Sequence, residues 1–137
     1  MDFISRWSLG FHQPPGASPR GSIESEIEMS EYFVEASECS RHNIFPGVEI
    51  QTAACRKMMM SLVEFQPGAI VEKHSHPHEQ VGIIIEGRAH FFVGDDDRIL
   101  GPGDMYRIPG GVEHHVVSLD NICKAFDIFT PIREDYL

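Results

Sequence analysis

The feature that most constrains the fold is a succession of short apolar runs that begins near Gly47 and continues to the C-terminus. The runs are rich in Val, Ile and Phe, and clusters of Gly, Pro and Asp interrupt them at intervals of about ten residues. Such spacing is typical of antiparallel β-strands and lacks the 3.6-residue period of a long amphipathic helix. The predicted strands are Val48–Thr52, Lys57–Phe65, Ile70–His74, Gln80–Ile85, Ala89–Val93, Arg98–Leu100, Met105–Ile108, His115–Ser118 and Ile122–Phe129.

This many short strands must close into a barrel or pack as two sheets, because open sheet edges favour aggregation. We therefore expect an all-β barrel or jelly roll. Only Ile23–Glu35 has a weak helical pattern. Residues 11–25 are rich in Pro, Gly and Ser, which favour extended or turn conformations and offer little to pack. The expected organisation is a flexible N-terminal tail over residues 1–30 and one β-barrel domain over residues 31–137.

Composition excludes several classes of function. The 21 acidic residues outnumber the 11 basic residues and give a formal charge of -10, which disfavours binding to nucleic acid and to anionic membranes. No apolar run approaches the roughly 20 residues of a membrane span. The three cysteines are odd in number and form no Cys-x-x-Cys pair, so we expect reduced thiols. The first residues lack the pattern of a secretory signal, and the expected compartment is the cytoplasm.

Five of the eight histidines lie in two groups, His74-Ser75-His76-Pro77-His78 and His114-His115. Residues two apart on a β-strand project to the same face, so His74 and His76 can direct both imidazoles at one point inside a barrel. A His-x-His pair also occurs by chance among surface and core residues. The residues around the histidines therefore decide whether a metal site is indicated.

Those surrounding residues follow a regular spacing. The first group is Gly68, His74, His76, Gln80 and Gly87, and the second group is Gly103, Pro109, Gly111 and His114. This spacing resembles the two sequence motifs of the cupin superfamily. Two positions depart from the motifs, because Gln80 occupies the place of a glutamate and Ser118 that of a terminal asparagine.

The resemblance implies a jelly-roll β-barrel that binds one divalent metal ion through His74, His76, Gln80 and His114. Three neutral imidazoles and one oxygen suit Zn, Fe, Ni, Co or Mn, and they leave coordination positions open for water or substrate. Because Gln80 is neutral, the full charge of the metal would remain to attract an anionic ligand and to act as a Lewis acid.

A closer likeness is to the small cupins of pectin and alginate degradation, which convert 4,5-unsaturated monouronates into open-chain keto acids. Their Asp-x-Phe-x-x-x-Arg run matches Asp127, Phe129 and Arg133. The likeness implies that Asp127 moves protons, Arg133 binds the uronate carboxylate and Phe129 shapes the pocket. A simpler interpretation is an aspartate that orients a histidine and a C-terminal Arg-Glu-Asp run that forms a solvated, ion-paired tail.

The leading hypothesis is a metal-dependent isomerase or lyase that acts on an unsaturated uronate-like sugar acid. The alternatives are an Fe(II) dioxygenase, a zinc polyketide cyclase, or a non-catalytic sugar-binding or sensing barrel. The expected partners are a small-molecule substrate and a second copy of the chain, since symmetric dimers are the commonest soluble oligomers. Side chains with a weaker claim to the site are Glu113, Tyr106, Arg107 and His78, and side chains assigned to the wall and core are Met58, Met59, Met60, Phe91 and Phe92.

Overall fold

The computed structural model describes residues 30–119 and 121–137, and residues 34–137 form one compact unit. The predicted tail over residues 1–30 lies almost entirely outside the described residues, as does most of the helical candidate Ile23–Glu35. Within that candidate, residues 30–35 form bends and no helix, so the helix prediction is wrong for this part. No helix in the described ranges is long and apolar enough to cross a membrane.

Ten strands and two short 3-10 turns make up the described chain. The turns are Ala36–Glu38 and Glu134–Tyr136. The strands are β1 (Ser40–Phe45), β2 (Val48–Ala54), β3 (Met59–Phe65), β4 (Ile70–His74), β5 (Glu79–Glu86), β6 (Ala89–Val93), β7 (Asp96–Leu100), β8 (Met105–Ile108), β9 (His114–Ser118) and β10 (Cys123–Thr130).

The strands form two antiparallel sheets, which confirms the expected all-β jelly roll. The larger sheet has the order β1-β2-β3-β10-β5-β8 and the smaller sheet has the order β4-β9-β6-β7. Neighbouring strands are mostly distant in sequence, so residues from both halves of the chain meet inside the barrel. All nine predicted strands are present, although β7 begins at Asp96 because the preceding hairpin turn contains only Gly94 and Asp95.

One strand, β1, was not predicted. Its sequence Ser-Arg-His-Asn-Ile-Phe lacks the alternation of apolar and polar residues, and none of its side chains is fully buried. It is an edge strand whose backbone pairs with β2 from Ser40 opposite Thr52 to Phe45 opposite Val48. Pairing with a neighbour, rather than burial of its own side chains, holds such a strand in place.

The apolar core fills one part of the barrel interior, where inward-facing residues of both sheets pack together. Its buried members are Val48, Ile50, Val63, Phe65, Ala69, Val71, Ile84, Ala89, Phe91, Val116, Cys123 and Ala125. Farther along the same strands, one row of inward positions is mostly polar. The strand registers place Thr52, Ser61, Asp127, Gly82 and Tyr106 in one row across the larger sheet.

The three consecutive methionines do not share one environment. Met59 is buried, but Met58 and Met60 are 55% and 50% exposed. Because side chains alternate across a strand, Met60 lies on the outer face of the larger sheet. The assignment of Met58 and Met60 to the wall and core was therefore wrong for the core, since both side chains are exposed.

Candidate metal centre

Three imidazoles converge inside the barrel. His74 ends β4 and lies directly opposite His114, the first residue of β9, so their ring centroids are only 4.3 Å apart. The ring of His76 is 4.9 Å from that of His114 and 5.6 Å from that of His74. Each ring offers one nitrogen, and these three nitrogens lie within 4.8 Å of one another.

His76 reaches this centre from a loop, because β4 ends at His74. Alternation along a strand therefore does not explain the direction of the His76 ring. A second loop holds His76 in place, because the backbone N–H of Gly111 donates a hydrogen bond to the carbonyl of His76 at 2.8 Å. The loops approach so closely that a Cβ on Gly110 would overlap the carbonyl oxygen of Pro77, which explains why glycine occupies this position.

Backbone carbonyls orient all three rings in the same way. The Nδ1 atoms of His74, His76 and His114 lie 2.8, 3.0 and 2.8 Å from the carbonyl oxygens of Glu72, His78 and Val112. A carbonyl oxygen can only accept, so each Nδ1 carries the proton and each Nε2 of a neutral ring keeps its lone pair. Backbone contacts of this kind are how proteins fix the tautomer of metal-binding histidines.

Burial keeps the rings of His76 and His114 neutral. Desolvation, followed by the positive charge of Arg133, lowers the pKa of His76. Desolvation also lowers the pKa of His114 to about 4, against the raising effect of the hydrogen bond with the carbonyl of Val112. Neutral imidazoles are the form that binds a metal ion.

Gln80 supplies an oxygen at the same centre. It is 8% exposed on β5, and its Oε1 lies 3.1 Å from Nε2 of His76. Its Nε2 donates to Oδ2 of Asp127 at 3.2 Å, which turns the amide oxygen toward the histidines. The glutamine that departs from the usual glutamate therefore occupies a position suited to a ligand.

The chemistry of this donor set fits a metal ion. With Nδ1 of His76 protonated, Nε2 of the neutral ring and Oε1 of Gln80 are two lone-pair donors that face each other without a proton between them. Two such atoms repel unless a cation lies between them. Three imidazole nitrogens and one amide oxygen are suitable ligands for Zn, Fe, Co, Ni or Mn.

A buried carboxyl lies beside Gln80. Asp127 on β10 is 6% exposed and accepts hydrogen bonds from the amide of Gln80 and the hydroxyl of Tyr106. Burial raises the pKa of Asp127 to about 7, although both hydrogen bonds act in the opposite direction. Burial is also the main cause, ahead of the charge of Asp127, that raises the pKa of Tyr106 well above 10.

The Asp127–Tyr106 pair exists because Gly82 has no side chain. Gly82 lies between these two residues in the sheet, opposite Asp127 on one side and Tyr106 on the other. A Cβ on Gly82 would overlap Oδ1 of Asp127 and the Tyr106 ring. Tyr106 had only a weak claim to the site from the sequence, and Gly82 was not predicted, although alternation from the buried Gln80 places Gly82 on the inner face.

Phe129 lies beside His76, and Arg133 lies beside Phe129. The ring of Phe129 is buried and lies 5.7 Å from the ring of His76. The guanidinium carbon of Arg133 lies 5.4 Å from the centroid of Phe129, and its charge contributes to the lowered pKa of both His76 and His114. Arg133 therefore places a cation next to the candidate metal centre.

The structure thus brings together all seven residues that the sequence indicated for the site. Two of the weaker candidates touch this group: Tyr106 through the side chain of Asp127, and His78 through its backbone carbonyl, which accepts from Nδ1 of His76. Glu113 forms an exposed ion pair with Lys73 at 3.1 Å, and Arg107 is exposed on the outer face of β8. The ring of His78 lies 5.6 Å from that of His76.

Comparison with known proteins finds similar proteins both by sequence and by structure. The chain is 36% identical over 81 residues to the pectin degradation protein KdgF of Dickeya dadantii, which covers 58% of this chain and 74% of that protein. The structure of KdgF from Halomonas sp. superposes with a TM-score of 0.70 at 29% identity, covering 77% of this chain and 99% of that one.

A further solved structure, an RmlC-like cupin from Shewanella frigidimarina, superposes with a TM-score of 0.72 at 29% identity and covers 79% of this chain and 97% of that one. Residues 61–129 match the sequence profile of the cupin domain. This match includes both histidine groups, Gln80 and Asp127, and it spans half of the chain. The chain therefore belongs to the cupin family.

Proposed function

We propose that the protein is a metal-dependent isomerase that opens a 4,5-unsaturated monouronate and converts it into the open-chain keto acid. One observation carries this proposal: a continuous set of contacts joins the candidate metal ligands His76 and Gln80 to the buried carboxyl of Asp127. The likeness to the pectin degradation protein KdgF supports the choice of a uronate.

The reaction needs no external oxidant or reductant. Ring opening breaks the bond between C1 and the ring oxygen and moves the proton of the C1 hydroxyl to that oxygen. It leaves an aldehyde at C1 and an enol whose C4=C5 double bond is conjugated with the carboxylate. Ketonisation adds a proton to C4 and removes the proton of the enol oxygen on C5, so the atoms of substrate and product are the same. One group that both accepts and donates a proton is sufficient to remove the enol proton and to add a proton to C4.

Asp127 is the proposed proton carrier. It is enclosed inside the barrel, and Tyr106 and Gln80 both donate to its carboxyl, which fixes its orientation. Arg133 is the proposed receptor for the uronate carboxylate, because a guanidinium binds a carboxylate through two parallel hydrogen bonds. Phe129, whose ring lies beside both His76 and Arg133, is the proposed wall that shapes the sugar pocket.

His74, His76, Gln80 and His114 are the proposed ligands of one divalent transition metal. When bound, this metal would supply Lewis acidity toward a hydroxyl or carbonyl oxygen of the substrate. The residues of the chain would hold the substrate, exclude water from it and move its proton.

The test is the ultraviolet absorbance of a 4,5-unsaturated galacturonate monomer, which disappears when the double bond is lost. We expect the purified protein to accelerate this loss, and Asp127→Asn, which keeps the shape of the side chain, to reduce the rate by at least about a hundredfold. Glu113→Gln, an exposed change on the loop before β9, serves as the control and should leave the rate unchanged. Oxygen consumption without loss of the unsaturated monouronate would instead support the dioxygenase alternative.

We further propose that two copies of the chain pair through the outer face of the larger sheet. This face exposes Met60, Leu62, Val81, Ile85 and Met105, the last of which is 72% exposed. It also contains a groove of about 600 Å³ lined mainly by apolar side chains of β5, β8 and β10. Contiguous apolar surface of this kind commonly marks a protein interface.

The charge on this face favours a second copy as the occupant. Apart from Asp127, which points into the barrel, its strands carry three basic side chains (Arg41, Arg107, Lys124) and four acidic side chains (Glu49, Glu64, Glu79, Glu86). The face is therefore close to neutral, whereas the whole chain has a formal charge of -10. Two strongly acidic chains repel each other least where the charge is balanced.

Sedimentation of Leu62→Glu and Met105→Glu tests this interface. We expect a dimer for the unmodified chain and a monomer for each variant, because a carboxylate buried in an apolar interface is costly. Ile99→Glu is the matched control, since Ile99 is 49% exposed on the smaller sheet. A monomeric unmodified chain, or variants that remain dimeric, would contradict the proposal.

A further inference from the structure

The side chain of Arg133 is more enclosed than is usual for a permanently charged group. It is 12% exposed, although arginine is seldom buried without a partner. Asp135 supplies that partner: its Oδ1 accepts from Nε of Arg133 at 3.3 Å and its Oδ2 accepts from Nη2 at 2.8 Å. The carboxylate therefore binds one edge of the guanidinium through two parallel hydrogen bonds.

The other edge of the guanidinium is left for a ligand. A guanidinium has five N–H donors, and Asp135 uses two of them. Within the described ranges, no hydrogen bond from Nη1 of Arg133 is found. Nη1 and the second hydrogen of Nη2 form the end-on edge, which can bind a second carboxylate in the same two-point manner.

Aromatic contacts fix the plane of the guanidinium. The Tyr136 ring centroid lies 4.0 Å from its central carbon, a distance at which a cation is attracted to a π-face. Tyr136 is itself attached to the barrel wall, because the hydroxyl of Thr52 donates to its carbonyl oxygen at 2.7 Å. Thr52 is 3% exposed on β2, so this anchor is part of the rigid barrel.

We propose that Asp135, Tyr136 and Thr52 are positioning residues that hold the free edge of Arg133 toward the histidines for a substrate carboxylate. This inference rests on the proposed function and extends it. Asp135 prevents rotation of the guanidinium, Tyr136 sets its plane, and Thr52 fixes Tyr136. Asp135 therefore supports anion recognition, in addition to forming the ion pair that the simpler interpretation expected.

Direct binding of D-galacturonate and of its uncharged methyl ester, measured by calorimetry on the full chain as purified, tests this inference. We expect Asp135→Ala to raise the Kd for galacturonate at least about tenfold and to change the Kd for the ester less than about twofold. Thr52→Val, which removes the hydroxyl at constant shape, should raise the galacturonate Kd in the same selective way. Thr52→Ser, which keeps the hydroxyl, should have the galacturonate Kd of the unmodified chain.

Glu134→Gln is the matched control, because Glu134 is exposed in the same turn. Equal effects of Asp135→Ala on acid and ester would show a general structural role and overturn the inference. An unchanged or lower Kd for galacturonate would also overturn it, since Asp135 would then compete with the ligand. Absence of galacturonate binding to the unmodified chain would also overturn the inference.

These binding constants do not depend on turnover. If the protein binds galacturonate selectively through the Arg133 support but leaves the unsaturated monouronate unchanged, the proposed function fails and the positioning inference stands. If the protein consumes the unsaturated monouronate while Asp135→Ala affects acid and ester equally, the function stands and the inference fails.

Discussion

Replacing Gly82 by alanine tests whether the inner row of the larger sheet is packed as described. The added Cβ would overlap Oδ1 of Asp127 and the Tyr106 ring, both of which are enclosed and hydrogen-bonded to each other. Overpacking of this kind costs about 1–3 kcal/mol. Alanine also reduces the entropy of the unfolded chain, which stabilises the folded state by about 0.4–1 kcal/mol where the backbone conformation allows it. The net expectation is a loss of about 1–2 kcal/mol in the free energy of unfolding.

Equilibrium unfolding in urea, followed by far-ultraviolet circular dichroism, measures this change. Gly101→Ala is the control, because the Cβ there would meet its nearest neighbour, Cγ of Arg88, at an ordinary 3.6 Å. We expect the control to be neutral or slightly stabilised. If Gly82→Ala proved as stable as the unmodified protein, the close packing of Gly82 against Asp127 and Tyr106 would be refuted.

Two further predictions concern buried groups. Tyr106→Phe removes a donor to the enclosed carboxyl of Asp127 and should lower the free energy of unfolding by about 1.5–3 kcal/mol in the same urea assay; a change below about 0.5 kcal/mol would contradict the hydrogen bond. Burial, followed by the charge of Glu86, raises the pKa of the Cys123 thiol to about 11, so Cys123 should react with a thiol reagent only after unfolding. The exposed Cys55 should react in the native protein, and equal reaction rates for Cys55 and Cys123 would contradict the buried position of Cys123.

Much of the fold was predictable because its signals are local. Turn residues marked the ends of nine strands, and Gly68, Gly87, Gly103 and Gly111 all adopt positive φ values in those turns. The edge strand β1 was not predicted because apolar and polar residues do not alternate in its sequence. Its structure depends on pairing with β2.

The convergence of His74, His76 and His114 was predictable for a different reason: histidines in two groups at fixed spacing are rare by chance. The contacts around these histidines were not predictable from the sequence. Gly82 meets Asp127 and Tyr106 only through the registers of three strands, and sequence alone does not give a register. Asp135 was interpreted as part of a tail because its role depends on where Arg133 points.

Metal content is the most direct test of the central claim that His74, His76, Gln80 and His114 form one metal centre. The full chain, incubated in turn with Zn, Fe(II), Co, Ni and Mn and then dialysed, is analysed for bound metal per chain. We expect close to one equivalent of at least one of these metals, and at least about a tenfold weaker affinity in His76→Ala.

His115→Ala is the matched control, because His115 neighbours His114 but stacks on Phe92 at 4.1 Å on the opposite face of β9. It should bind as much metal as the unmodified chain. An unmodified chain that retains none of the five metals, or a His76→Ala variant that binds as tightly as the control, would contradict the account.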